Sequence, residues 1–180
     1  IASTTGGNFE NLVIGKSSVS TSIIDNDAPP VLDLDANNSS GAIGADYKVT
    51  FTEGTAGPGV SIADTDISIT EPDSTMLTGA TIVLTNAQPG DSLNLGNSVN
   101  GITINANSSD GSITLTLSGN ATLADYMQQI KNISFTNNSE DPNTTPRTIT
   151  VTVTDGNNYS NVATTTVNVV DVNDAPVATG

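Results

Sequence analysis

Acidic side chains recur at alternate positions in Asp33-Leu34-Asp35, Asp64-Thr65-Asp66 and Glu71-Pro72-Asp73. In an extended segment this spacing sends both carboxylates toward one side, as a chelating loop requires. A fourth acidic stretch, Asp171-Val172-Asn173-Asp174-Ala175-Pro176, stands near the C-terminal end. An imperfect copy, Asp25-Asn26-Asp27-Ala28-Pro29, stands near the N-terminal end. Carboxylates, Asn carbonyls and backbone oxygens are the ligands of calcium, which takes about 6–8 oxygens in loosely specified geometry. Magnesium keeps its water and demands a stricter octahedron, so calcium is the better match. Two like charges ~4 Å apart near a protein surface repel by roughly 4 kcal/mol, which makes such clusters costly without a cation.

Other acids have plainer duties. Asp91 and Asp110 fall at turns and Asp125 at a helix start. Asp33/Asp35/Asn37 resembles the opening of a calcium loop but lacks that loop's downstream glycine and bidentate glutamate, so metal binding there stays open.

The composition narrows the chemistry. Nineteen acidic residues against four basic ones give a net charge of -15. Nucleic acid and anionic membrane surfaces are poor partners for such a chain, because both are held by Lys and Arg. Two explanations of the charge remain: solvation with self-repulsion, or binding of divalent cations. With no Cys and no His, thiolate and imidazole zinc sites, Cys-His and Ser-His-Asp nucleophiles and disulfides are all excluded. No apolar run approaches the ~20 residues of a membrane span. No signal-like segment is visible at Ile1, and since the sequence opens mid-chain this is uninformative.

The elements that must position these acids are short strands. Aromatics are 3% with no Trp, so a core must be built mainly from Val, Ile and Leu. Phe9–Ile14 and Val19–Ile24 read as a hairpin, either the last two strands of a preceding domain, a pair packed on the next domain, or a frayed leader. Pro29-Pro30 breaks that pattern, and residues 28–48 read as an ordered loop anchored by Leu32, Leu34 and Tyr47. Val49–Glu53 is a strand, interrupted at Gly54 to Gly59 and resumed by Val60–Ile62. Further strands are expected at Asp66–Thr70, Ala80–Thr85, Ser92–Leu95, Ile102–Asn105, Ser112–Leu117, Ile133–Phe135, Thr148–Thr154 and Val162–Val170. Gln88-Pro89-Gly90-Asp91 carries a type II turn signature. Thr122-Leu123-Ala124-Asp125 reads as a capping box with Asp in place of Glu, opening one short helix near residues 122–131 with Leu123, Tyr126, Met127 and Ile130 on one face. The expected fold is an all-β antiparallel sandwich over residues 45–172.

Folded up and down as seven strands, such a sandwich sorts the acids by end. Asp64 and Asp66 fall near the C-terminal joint, with Glu140 and Asp141, and Asp171 and Asp174 arrive there on the last strand. Glu71, Asp73 and Asp155 fall near the N-terminal joint. Two clusters result, one per joint.

Val169-Val170-Asp171-Val172-Asn173-Asp174-Ala175-Pro176 is similar to the interdomain linker of cadherin-like domains. Together with Phe51–Gly54, Ile62–Asp66, Glu71–Asp73, Leu123–Tyr126 and Val153–Gly156, it makes residues 28–176 resemble the cadherin-like repeats of giant bacterial RTX adhesins, surface proteins exported by type I secretion. The hairpin ending Ile23-Ile24-Asp25-Asn26-Asp27 resembles the end of a Calx-beta-like repeat. The resemblance implies three segments: 1–27, the C-terminal hairpin of a preceding repeat; 28–174, a cadherin-like (Ig-like) sandwich; and 175–180, the start of the next linker. It implies a Ca2+-rigidified spacer, extracellular at the cell surface, serving adhesion and biofilm formation. Asp25, Asp27, Glu71, Asp73 and Asp155 would take the first joint. Glu53, Asp64, Asp66, Glu140, Asp141, Asp171, Asn173 and Asp174 would take the second. The sequence departs from the family pattern in two places: Ile24 stands where the first joint would match Asp171, and the cadherin Asp-Arg-Glu triplet is absent, with Glu140-Asp141 a loose substitute.

The expected partners are neighbouring repeats of the same chain, with the domain otherwise monomeric. The alternative is a sugar- or peptide-binding module of the adhesin tip, for which Tyr159 beside Asn157 and Asn158 is the one exposed aromatic candidate. Enzymatic use of paired carboxylates has nothing behind it but the abundance of Asp.

Overall fold

Residues 27–174 are described by a computed structural model. The hairpin expected at Phe9–Ile24, together with Asp25 and the linker start at 175–180, lies outside the described residues. Eleven strands and one helix succeed one another in order: β1 (Val31–Asp33), β2 (Tyr47–Thr52), β3 (Val60–Ser61), β4 (Ser68–Thr70), β5 (Met76–Leu84), β6 (Asp91–Asn94), β7 (Thr103–Ser109), β8 (Ser112–Thr122), α1 (Leu123–Asn132), β9 (Ser134–Asn137), β10 (Arg147–Thr154) and β11 (Ala163–Val170).

The strand faces derive from the period-two pattern, since successive side chains point to opposite sides of a sheet. In β10, Arg147, Ile149, Val151 and Val153 point inward while the intervening threonines are half-buried. In β11 the same alternation buries Ala163, Thr165, Val167 and Val169. These two strands sit inside a six-stranded sheet of order β2-β11-β10-β5-β8-β7. All its pairings are antiparallel except β2 with β11, which run parallel from Tyr47 beside Thr165 to Thr52 beside Val170. A three-stranded sheet, β3-β9-β6, and the β1-β4 pair complete the strand layers. Phe51 of β2 meets Phe135 of β9 edge to face, ring centroids 5.5 Å apart, joining the large sheet to the small one. The fold is the expected all-β sandwich with a single short helix among the described residues.

The helix begins where the sequence places it. Thr122 Oγ1 accepts the Asp125 N–H at 3.1 Å, and Asp125 Oδ2 accepts the Thr122 N–H at 3.2 Å, a complete capping box. Tyr126 and Ile130 are buried. The Tyr126 hydroxyl donates to the Gly119 carbonyl at 2.6 Å, and burial pushes its phenol up to about 12.

Two expectations are corrected. Among the described residues the strands number eleven in three sheets rather than seven. More consequentially, β3 does not continue β2. Between them the chain reverses through residues 53–59, with Gly54, Gly57 and Gly59 at φ of 70°, 121° and 96°. At Gly59 a Cβ would lie 2.1 Å from the Phe135 carbonyl oxygen, so only glycine admits the approach of β3 to β9. β2 runs toward Val170, whereas the carbonyl of Ile62, just after β3, accepts the hydroxyl of Thr165 at the opposite end of β11. The segment after Ile62 therefore lies at the end from which β2 starts.

Candidate metal-binding clusters

At the C-terminal end, Glu53 extends the parallel pairing of β2: its N–H donates to the Val170 carbonyl at 2.9 Å. Its Oε2 then accepts the N–H of Val172 at 2.9 Å, tying the segment after the last strand to the sandwich. Carboxylate oxygens of Glu53, Glu140 and Asp174 lie within 4.8 Å of one another. Glu140 and Asp141 share a cleft with Asp171, Val172, Asn173 and Asp174. The structure thus brings together six of the eight residues expected at this joint. The Asn173 amide nitrogen donates to the Asp174 carbonyl at 2.7 Å. The Val172 N–H alone would lower the Glu53 carboxyl, but desolvation and the carboxylates of Asp171 and Asp174 outweigh it and hold Glu53 above its ordinary range.

At the N-terminal end, residues 27 and 28 are gripped from two sides. The Ala28 N–H donates to Asp73 Oδ2 at 2.7 Å, and the Asp73 N–H donates to Glu71 Oε1 at 3.0 Å. The Asn158 amide donates to Asp27 Oδ2 at 3.1 Å, while the N–H groups of Asn157 and Asn158 both donate to Asp155 Oδ1 at 2.7 Å. Two oxygens are left over: Glu71 Oε2 and Asp155 Oδ2 are buried and have no hydrogen-bond partner among the described residues. A buried oxygen left without a partner is costly, yet among the described residues Glu71, Asp73 and Asp155 do not form a group of converging ligand oxygens as Glu53, Glu140 and Asp174 do.

Asp64 and Asp66 are not at the C-terminal joint. They lie beside Asp35, and ligand oxygens of the three are within 4.8 Å of one another. The reversal at 53–59 explains the difference, because it carries residues 62–66 back to the start of β2. There the Asp64 N–H donates to the Leu34 carbonyl at 2.9 Å, and the Asn37 N–H donates to Asp66 Oδ2 at 2.9 Å. Asp35 is fully buried. Its Oδ1 accepts the Ser39 N–H at 3.0 Å and its Oδ2 the Ser40 N–H at 2.9 Å. Desolvation pushes its carboxyl up, but hydrogen bonds from Ser40 and Ser39 outweigh it and hold the group below the usual range. Sequence reasoning missed Asp35 as a cluster member. The signal existed in the Asp33/Asp35/Asn37 spacing, but the local loop is incomplete; a segment about thirty residues further along the chain completes the group.

Sequence reasoning also gave Asp91 too small a duty. It does cap its turn, accepting the Gln88 N–H at 2.8 Å. Its carboxylate also pairs with Arg147 at 2.6 Å, and both side chains are completely buried. Tyr159 is 70% exposed, as the ligand-binding alternative requires.

No family model matches the chain, and neither does any curated protein. The acidic clusters supply oxygen donors that could hold a metal ion. Among the described residues no helix is long and apolar enough to cross a membrane.

Proposed function

We propose that this chain is a calcium-binding structural domain, an extender repeat of a bacterial cell-surface adhesin, whose angle to its neighbours is fixed by ions bound at its two ends. The observation that carries this reading is the meeting of Asp174, from the segment after the last strand, with Glu53 and Glu140 of the sandwich. A site that takes ligands from both a domain and its outgoing linker restrains the linker when it fills. Calcium is the ion because the donors are all oxygens, several are half-buried or exposed, and the geometry is loose. The extracellular setting and the adhesin context rest on the resemblance of the 169–176 linker to cadherin-like repeats. A role in adhesion is mechanical on this reading, and the acids are ligands rather than catalysts.

Calorimetric titration of the chain tests it. Calcium should bind with micromolar affinity and magnesium at least tenfold more weakly. Replacing Glu53 by Gln and Asp174 by Asn together should remove one class of site. Equal heats for calcium and magnesium, or heats unchanged by the double replacement, would remove the basis of the proposal.

A further inference from the structure

The six-stranded sheet ends on one side at β7, and that edge is open. Proteins keep sheet edges from pairing by shortness, charge, proline or a bulge. The other edges of the two larger sheets follow that rule. β2 carries Lys48, whose N–H is already taken by the Ser40 hydroxyl at 3.1 Å. In the three-stranded sheet the edges are β3, two residues long, and β6, four residues long and opening with Asp91. β7 has none of these protections. It is seven residues long, carries no charge and no proline, and pairs with β8 without a break in register.

The turn fixes which backbone groups face outward. Residues 110 and 111 form a two-residue turn, so Ser109 and Ser112 close the ladder as a hydrogen-bonded pair. Bonded positions then recur at Asn107, Asn105 and Thr103. The N–H and C=O groups of Ile104, Ala106 and Ser108 therefore point away from β8, and no hydrogen bond from another described element reaches them. The side chains are matched about Ala106. Laid antiparallel on itself there, the strand sets Asn105 opposite Asn107, Thr103 opposite Ser109 and Ile104 opposite Ser108. Amide faces amide and hydroxyl faces hydroxyl, pairs that hydrogen-bond across strands. Charge favours the same place. On a chain of net charge -15, β7 lets two copies meet without opposing carboxylates, since Asp110 falls in the turn beyond its end.

We propose that β7 is a self-pairing edge, at which two copies of this chain join antiparallel about Ala106 and merge their six-stranded sheets. The contact is two-fold and closes on itself, so it stops at a dimer. A single strand edge is a small contact, and the dissociation constant is on the order of 100 µM. The pairing requires no ion, and it adds a lateral partner to the neighbouring repeats.

Sedimentation equilibrium of the full 180-residue chain, at physiological salt and in chelator, tests this. A reversible monomer–dimer equilibrium is expected. Ala106→Pro removes an outward N–H without touching the β7–β8 ladder and should weaken the dimer by roughly tenfold or more. Two charge variants check the register. Asn105→Lys/Asn107→Lys sets like charges opposite each other and should be monomeric, as should Asn105→Glu/Asn107→Glu. Mixed, the two should associate again, although both chains remain acidic overall. Circular dichroism checks that each variant is folded; if Ala106→Pro does not fold, the charge-swapped mixture decides. A chain monomeric at every concentration, or a dimer that survives both the proline and the lysine replacements, would overturn the proposal. So would a chain that stays monomeric yet captures an extended peptide at β7, which would make the edge a site for another protein's strand.

Discussion

Glu53 sits where charge, fold and function meet, and its ionisation gives a sign that can be checked. The Val172 N–H pulls its carboxyl down, but desolvation and the neighbouring Asp171 and Asp174 outweigh that bond and hold it above the ordinary 4.5. A group raised on folding favours the folded state while it is protonated. That contribution is present below its unfolded pKa and is lost as pH rises through the folded one. Without a divalent cation, then, Glu53 opposes folding at neutral pH, and Glu53→Gln should raise the melting temperature in chelator at pH 7 while changing little near pH 4. In calcium the order should reverse, since the variant loses a ligand. Thermal melts across pH 4–8, with and without chelator, read both; a variant less stable than the parent in chelator at pH 7 would show that the like charges are not the dominant influence. Much of this residue chemistry is legible in the sequence. The acids at both ends, the capping box at Thr122 and the turn duty of Asp91 can be read from local spacing. The grouping of Asp64 and Asp66 with Asp35 cannot, because which distant carboxylates meet is decided by the direction of the chain between them.

Among the elements, the same limit separates what alternation reveals from what it hides. The strands around Thr148–Thr154 and Val162–Val170 can be read directly, since every second residue is apolar or small and faces the core. An interruption such as Gly54–Gly59 looks alike whether the strand resumes or reverses, and only pairing partners decide. Long-range pairs are hidden for the same reason. Arg147, at the start of β10, reaches 56 residues back to Asp91, at the start of β6, and so staples the three-stranded sheet to the six-stranded one. The pair is closed by the Asn137 amide, which donates to Asp91 Oδ1 at 2.7 Å. Removing one partner leaves the other charge buried and uncompensated, a change that typically costs roughly 3–5 kcal/mol. Asp91→Asn should therefore lower the urea midpoint sharply at unchanged slope. Replacing both residues by apolar ones of similar volume should cost much less. A single replacement costing under ~1 kcal/mol would mean that water reaches the pair.

At the scale of the whole molecule, the ends matter more than the middle. At one end the sandwich offers an acidic cluster to the segment that leaves it, with Asp174 against Glu53 and Glu140; at the other, Asp73 accepts the N–H of Ala28 in the segment that enters it. On the proposed reading each end binds calcium at micromolar strength. Millimolar calcium outside a cell then exceeds that by ~100-fold, and each occupied site adds roughly 2.7 kcal/mol of stability by mass action. The mechanical effect should be larger than the thermal one. Without the ion, carboxylates on the domain and on its linker repel, and two neighbouring repeats swing about the joint. With it, ligands from both share one centre and the angle is held, so that a string of repeats projects stiffly. Where free calcium is scarce the same string stays loose. A two-domain fragment joined through Asp171–Pro176 should accordingly lengthen when calcium is added, with a larger maximum dimension in small-angle scattering. Asp174→Ala should suppress the change while leaving each domain folded, because it removes the linker's ligand and touches no core residue. Identical scattering profiles in calcium and in chelator would reduce the domain to an ordinary spacer whose acids serve only to keep it soluble.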